Sequence, residues 1–254
     1  KTEEYKGIVQ NKKIRSLPII RGVFSFIDSM VLGMSTLTYS ASFFMDDEEE
    51  EKDEKKESVM MGLTIACSVV MAVAIFMILP YFLSQLFRKF TDSTTLITLL
   101  EGAVRLVIFF GYILLISRMK DIQRVFMYHG AEHKCINCIE HGMELNVENV
   151  LKSSRLHKRC GTSFLFIVMI VSIIFFLFIR IESPIWRVVF RLLLIPVIAG
   201  VSFEFIRLAG KSENKLVILL SKPGMMLQKL TTREPDASMA EVAIASVEAV
   251  FDWR

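Results

Sequence analysis

The stretch Val59–Leu79, VMMGLTIACSVVMAVAIFMIL, holds no charged residue. At a rise of ~1.5 Å per residue a helix of that length reaches about 31 Å, enough to cross the hydrocarbon core of a bilayer. Pro80 then ends or kinks it. Three further runs have the same character. Leu96–Ile116 is interrupted only by Glu101 and Arg105. Phe164–Ile179 is uninterrupted, and Ile185–Ile206 carries Arg187, Arg191, Pro196 and Glu204. Only RIESP separates the last two, so they form a tight hairpin. The expected fold is therefore an all-α integral membrane protein with about four transmembrane helices.

Composition agrees. Hydrophobic residues make up 53% of the 254 residues, with 20 Phe and 14 Met. The mean hydropathy of +0.48 is high for a soluble domain of this size. The net charge of +3 provides no basic field for nucleic acid. Lys1–Ser16 is polar and resembles no secretory signal, and a first residue other than Met points to a start further upstream. Four clustered cysteines do not suit a secreted disulfide scaffold.

The spans divide the chain into five expected regions. Residues 1–58 form a cytoplasmic arm. Within it, 17–44 reads as amphipathic helices at the membrane surface, and DDEEEEKDEKKES at 46–58 is a solvated acidic loop. Residues 59–117 form the first transmembrane hairpin, 118–161 a cytoplasmic polar segment, and 162–206 the second hairpin. Residues 207–254 form a cytoplasmic tail with a helix capped by Asp236 and an apolar stripe of Met239, Val242, Val247 and Val250. Arg118–Arg159 carries eight Lys/Arg against two in the loop between the first two spans, which places that segment and both termini in the cytoplasm.

The polar segment gathers most of the metal-capable side chains. YHGAEHKCINCIEH at 128–141 holds three of the four histidines, and HKRC at 157–160 holds the fourth. His129 and His133 are spaced i,i+4, so both imidazoles share one helix face and can reach one ion. Glu132 gives the order H-x-x-E-H, which zinc hydrolases use with the glutamate as general base. Two ligand sets compete. In one, His129 and His133 take a third ligand from His157 or Cys160 and leave a position open. In the other, Cys135-x-x-Cys138 pairs with His157-x-x-Cys160 as a closed Cys3His zinc site. Glu140 is a second candidate for catalysis, but on an unbroken helix it lies about 10.5 Å beyond His133. Lys134, Arg155 and Arg159 are candidates for binding an anion or lipid headgroup before the third span. Glu101, Arg105 and Glu204 are intramembrane charges that must face protein or water.

YHGAEHK, the following N-x-x-E at Asn137–Glu140, SRLHKRCGTSF and TTREPDASMAEVAIA together resemble the YqhQ-like bacterial membrane proteins, across nearly the whole chain. This family has no established reaction, although its members carry the label of predicted metal-dependent enzymes. The resemblance implies a multi-pass protein of the bacterial plasma membrane. It marks Tyr128, His129, Gly130, Glu132, His133, Lys134, Asn137, Glu140, His157, Arg159, Cys160 and Gly161, with Glu101, Arg105, Glu204 and the turn Thr232–Pro235. Lys158 stands where the family more usually has Pro, and Cys135 where a small hydroxyl residue is expected. A site common to the family should not need Cys135, which favours His129, His133, His157 and Cys160 as the ligand set.

Three functions are compatible with these residues. The first is a metal-dependent hydrolase, with zinc or another divalent ion, acting on a lipid or membrane peptide from the cytoplasmic face. The second is a non-enzymatic membrane partner protein, for example an accessory of the Sec translocon. The third is a transporter built around Glu101, Arg105, Arg191 and Glu204, disfavoured by the lack of an inverted repeat.

Overall fold

The computed structural model describes residues 5–43, 54–179, 181, 183–212 and 214–250. The acidic stretch expected at 46–58 falls mostly outside these residues. Within the described residues every regular element is a helix. A short α1 (Lys12–Ser16) precedes α2 (Ile20–Ser42). α3 (Glu54–Val73) passes through a π-turn at Ala74–Ile78 into α4 (Leu79–Gln85) and a 3₁₀ turn at Leu86–Lys89. α5 (Thr94–Ile116), α6 (Lys120–Glu140), α7 (Val147–Lys152), α8 (Gly161–Phe178), α9 (Pro184–Lys211), α10 (Lys215–Thr231) and α11 (Ala237–Glu248) follow.

Five helical segments are long and apolar enough to cross a membrane: Ile20–Ser40, Val59–Lys89, Thr94–Ile116, Gly161–Phe178 and Ile185–Lys211. Four correspond to the expected spans. The fifth, Ile20–Ser40, falls in the stretch 17–44 expected to form one or two amphipathic helices; it is one continuous helix, packed on α9. Its packing on α9 depends on two glycines. A Cβ on Gly22 would lie 2.8 Å from the Gly200 carbonyl, and one on Gly200 would lie 2.6 Å from the Ile19 carbonyl. Arg21 pairs with Glu204 beside this contact, and Phe26 stacks on Phe164 at 5.6 Å.

Pro80 does not end its helix. Pro80 has no N–H to give the Phe76 carbonyl four residues back, and that carbonyl accepts from Arg105 Nε at 2.9 Å. Arg105 also donates to Ser172 Oγ at 3.2 Å and Glu101 at 3.0 Å. Arg191 closes on the same carboxylate with both terminal nitrogens. The two guanidinium groups stand over the Phe176 ring at 5.1 and 4.6 Å. Glu101, Arg105 and Arg191 are 3%, 6% and 3% exposed, so this Arg–Glu–Arg cluster ties four helical segments inside the bundle. Glu204 is not part of it. It lies 13 residues after Arg191 on α9, about 20 Å along the axis, and serves Arg21.

The tail holds a helix that the sequence reading left out. α10 packs against α8, and Leu227 joins Phe109 and Ile113 in an apolar cluster. The expected Asp236 cap is present, with Asp236 accepting from Met239 N at 2.9 Å.

Removing the single carboxylate from the Arg–Glu–Arg cluster strands two buried cations. Glu101→Gln is expected to cost about 3–5 kcal/mol in thermal unfolding of the detergent-solubilised protein. Arg191→Leu is expected to cost less, because Glu101 and Arg105 remain a neutral pair.

Candidate metal centre and its cavity

α6 organises the site through a comb of side chains on one face. Lys134 Nζ donates to the Leu151 and Ser153 carbonyls at 2.8 and 2.7 Å. Asn137 Nδ2 donates to Ser154 and Leu156 at 2.7 and 3.1 Å, and His133 Nδ1 meets Arg155 O at 2.7 Å. The strap 151–156 is thus held by its own carbonyls, and it delivers His157 and Cys160 beside α6. Gln228 of α10 fixes the strap's far side: it accepts from His157 N at 2.9 Å and donates to His157 O at 2.7 Å. Its Nε2 also reaches Ser163 Oγ at 2.7 Å.

The turn between α10 and α11 closes the arrangement. Arg233 N donates to Phe126 O at 2.8 Å, and the Arg233 carbonyl sits where a Cβ of Gly130 would be, 2.1 Å away. Only glycine admits this approach. The docked turn places Thr231 O at 2.9 Å from His129 Nδ1. A carbonyl can only accept, so Nδ1 of both His129 and His133 carries the proton and each Nε2 keeps its lone pair.

Those lone pairs converge with a thiol. One ligand atom each from His129, His133 and Cys160 lies within 4.8 Å of the other two, and this is the only such three-residue group among the described residues. His129 Nε2 to Cys160 Sγ is 3.3 Å. A tetrahedral zinc with bonds of ~2.0–2.3 Å needs its ligand atoms about 3.3–3.6 Å apart, a separation His129 and Cys160 already have, with the His133 donor within 4.8 Å of both. Burial pushes the Cys160 thiol up. Hydrogen bonds from His129, His133 and the Thr162 N–H, with the charge of His129, overcome that and bring it down to about 5. Burial pulls His129 down, but the Cys160 thiolate, the Thr231 carbonyl and Glu132 leave it above its ordinary value. The lowered pKa gives Cys160 the thiolate character a cation needs, beside imidazoles whose Nδ1 protons are held by carbonyls.

The closed Cys3His arrangement does not form. Cys135 and Cys138 pack with Leu145, Val150 and Ala240 in an apolar cluster. Cys135 is two residues beyond His133, about 200° round the helix, so the two point to opposite faces. Burial raises both thiols, Cys135 to about 11, which disfavours the thiolate a metal needs. His157 also stands outside the three-residue group. Its ring is 5.9 Å from His133 between centroids, and its Nε2 meets Glu140 Oε2 at 3.2 Å. α6 runs unbroken to Glu140, so that carboxylate lies away from the ligands and bridges His157 and Arg159. Burial alone would raise its pKa. Hydrogen bonds from Arg159 and His157 outweigh this and hold it below the ordinary range. His141 caps α6 through Asn137 O at 2.6 Å.

Two of the three expected anion binders are committed elsewhere. Lys134 is buried on the strap carbonyls and pairs with Glu234 at 2.9 Å. Arg155 donates to Thr232 O at 2.7 Å and faces Glu234. Arg159 alone remains half-exposed, 53% in its side chain. Gln228, wholly buried in α10, gave no signal in the sequence.

The ligands line an open cavity of about 980 Å³. Tyr128, His129, Glu132, His133, Ile136 and Ile139 of α6 form one wall, and Val242, Ala243, Ser246, Val247 and Val250 at α11 form the other. His157–Gly161 contributes the floor through His157, Arg159, Cys160 and Gly161. Glu132 is exposed on this cavity beside the ligand set.

A family model described as "Protein of unknown function (DUF1385)" matches residues 17–253. The chain belongs to this family. It is 38% identical over 244 residues to "Uncharacterized protein YqhQ" of Bacillus subtilis (strain 168), covering 92% of this chain and 76% of that protein. No solved structure matches it. The YqhQ-like resemblance read from the motifs is thereby established, and neither relative names a cofactor or a reaction.

Two measurements check this geometry. Gly130→Ala pushes the Arg233 carbonyl off α6 and is expected to destabilise the protein by about 1–3 kcal/mol in thermal unfolding. In metal-free protein, iodoacetamide labelling of Cys160 is expected to persist until pH falls through about 5, far below the ordinary thiol value of 9.0. Because the folded pKa is depressed, the linked stability is complete above pH 9 and is lost as pH falls through about 5.

Proposed function

We propose that this chain is a membrane-embedded, metal-dependent hydrolase that acts at the cytoplasmic face of the bacterial plasma membrane on a lipid or a membrane-borne peptide. The observation that carries this reading is the convergence of His129, His133 and Cys160 on an open cavity with Glu132 beside them. Three protein ligands with a position left free is the pattern of catalytic rather than structural zinc. Imidazole and thiolate donors favour zinc, although iron or manganese also accept them. The ion supplies Lewis acidity toward a carbonyl or phosphoryl oxygen.

The chain's own groups account for the remaining steps. Thr231 O and Arg155 O fix the two imidazoles in the tautomer that presents Nε2. Glu132 takes the proton of the attacking water and returns it to the leaving oxygen or nitrogen, so that water adds across the broken bond. Arg159, on the cavity and steadied by Glu140, offers donors to negative charge on the substrate, and His157 helps hold that carboxylate in place.

Four crossings with both termini cytoplasmic remain our topology. The ties of α2 to the bundle through Arg21, Gly22 and Phe26 all fall in its first two turns. This supports α2 lying at the inner surface, where Phe164 begins its span, although its length and apolarity also permit a crossing. A non-enzymatic partner role, such as a Sec translocon accessory, calls for ligands closed off from solvent; the open cavity argues against it.

The test is metal analysis of the purified protein with turnover of fluorogenic acyl-ester and peptide substrates. One zinc per chain is expected, lost in His129→Ala/His133→Ala. Glu132→Gln is expected to keep the metal and lose turnover by about 100-fold or more. A wild-type protein that binds no metal overturns the reading.

A further inference from the structure

The cavity is a groove whose walls have a shape and a chemistry of their own. α6 contributes Tyr128 through Glu140, a run about 18 Å long at ~1.5 Å per residue. α11 lies along it. Away from the ligand set the groove is lined by Ile136, Ile139, Val242, Ala243 and Val247, none with a polar atom, and by Glu140, whose carboxylate oxygens are taken by His157 and Arg159. The one hydroxyl on the α11 wall, Ser246, already donates to Val242 O at 2.8 Å. Both walls are helices, so their backbone N–H and C=O groups are spent within their own ladders.

This decides between the two substrate classes left open above. An extended peptide brings one backbone donor and one acceptor per residue, and each would lose water along these walls without replacement. An acyl chain has nothing to satisfy and gains only by burial. The floor strengthens the choice. Gly161 lines the cavity and is also the first residue of a candidate span, so the groove opens at the level where a lipid's ester region lies. Lys158 and Arg159, both exposed, stand immediately before it and suit the polar end of such a molecule.

We infer that the groove between α6 and α11 binds the acyl chain of a single-chain lipid, with the chain against Ile136, Ile139, Val242 and Val247 and its polar end toward Cys160 and Arg159. This deepens the hydrolase reading and rests on it only for the identity of the bond that is cut. Binding itself needs the walls and not the metal.

The experiment measures equilibrium binding of octanoyl, dodecanoyl and hexadecanoyl lysophosphatidylglycerol to the full chain in amphipol, with EDTA present. Affinity is expected to rise with chain length. Lysophosphatidylcholine is expected to bind with the same chain-length trend, and an acetylated apolar hexapeptide is expected not to compete. Val242→Asp and Ser246→Trp change exposed positions of the groove wall, and each is expected to weaken hexadecanoyl binding at least tenfold with unaltered thermal unfolding. Equal affinity across chain lengths, unaltered binding in both variants, or displacement by the peptide overturns the inference. Metal content is read on the same preparations before EDTA is added. Acyl binding without metal sinks the hydrolase reading alone, and metal without acyl binding sinks this inference alone.

Discussion

The bare face of Gly130 is the constraint on which the site depends. Because no side chain stands there, the Arg233 carbonyl can press against α6. The same docked turn presents Thr231 O to His129 and Thr232 O to Arg155, and sets Glu234 against Lys134. His129 thus takes its orientation from a residue 102 positions away. The strap 151–156 is held by the same helix through His133, Lys134 and Asn137, and it carries Cys160 into range. Loss of the turn would free one imidazole and loosen the strap that delivers the thiol.

Charge is buried in two places, and they do different things. Along α8, Ser172 of the Arg–Glu–Arg cluster lies 12 residues beyond Cys160, about 18 Å away. The cluster is tied to the Phe76 carbonyl, Ser172 and Phe176 and holds helices together, with only Arg191 Nε left without a hydrogen-bond partner in it. The inner group keeps its lone pairs facing a cavity. With Glu204 drawn off to Arg21, the charges that a transporter reading would gather at one midplane site are not gathered.

What the sequence made legible follows from what is local. Apolar runs announce spans because hydropathy is read one residue at a time, and the i,i+4 spacing of His129 and His133 is enough to put both rings on one face. Cys160 could be proposed as their partner from its neighbourhood, but the choice over His157 required the strap's path. Lys134 and Arg155 looked like free cations because their partners are backbone carbonyls and a distant glutamate, which no local pattern reveals. α10 lay unread in the tail; its Pro223-Gly224 sits inside the helix, where the glycine lets Ser163 approach a would-be Cβ to 3.1 Å. The Cys135/Cys138 pair misled by spacing alone, since its face of α6 is the apolar one.

X-ray absorption at the zinc edge on the purified protein tests the central claim most directly. Two nitrogens near 2.0 Å, one sulfur near 2.3 Å and one further light atom are predicted, with the sulfur lost in Cys160→Ser. A shell with two or more sulfurs, or a spectrum untouched by that substitution, would contradict the account.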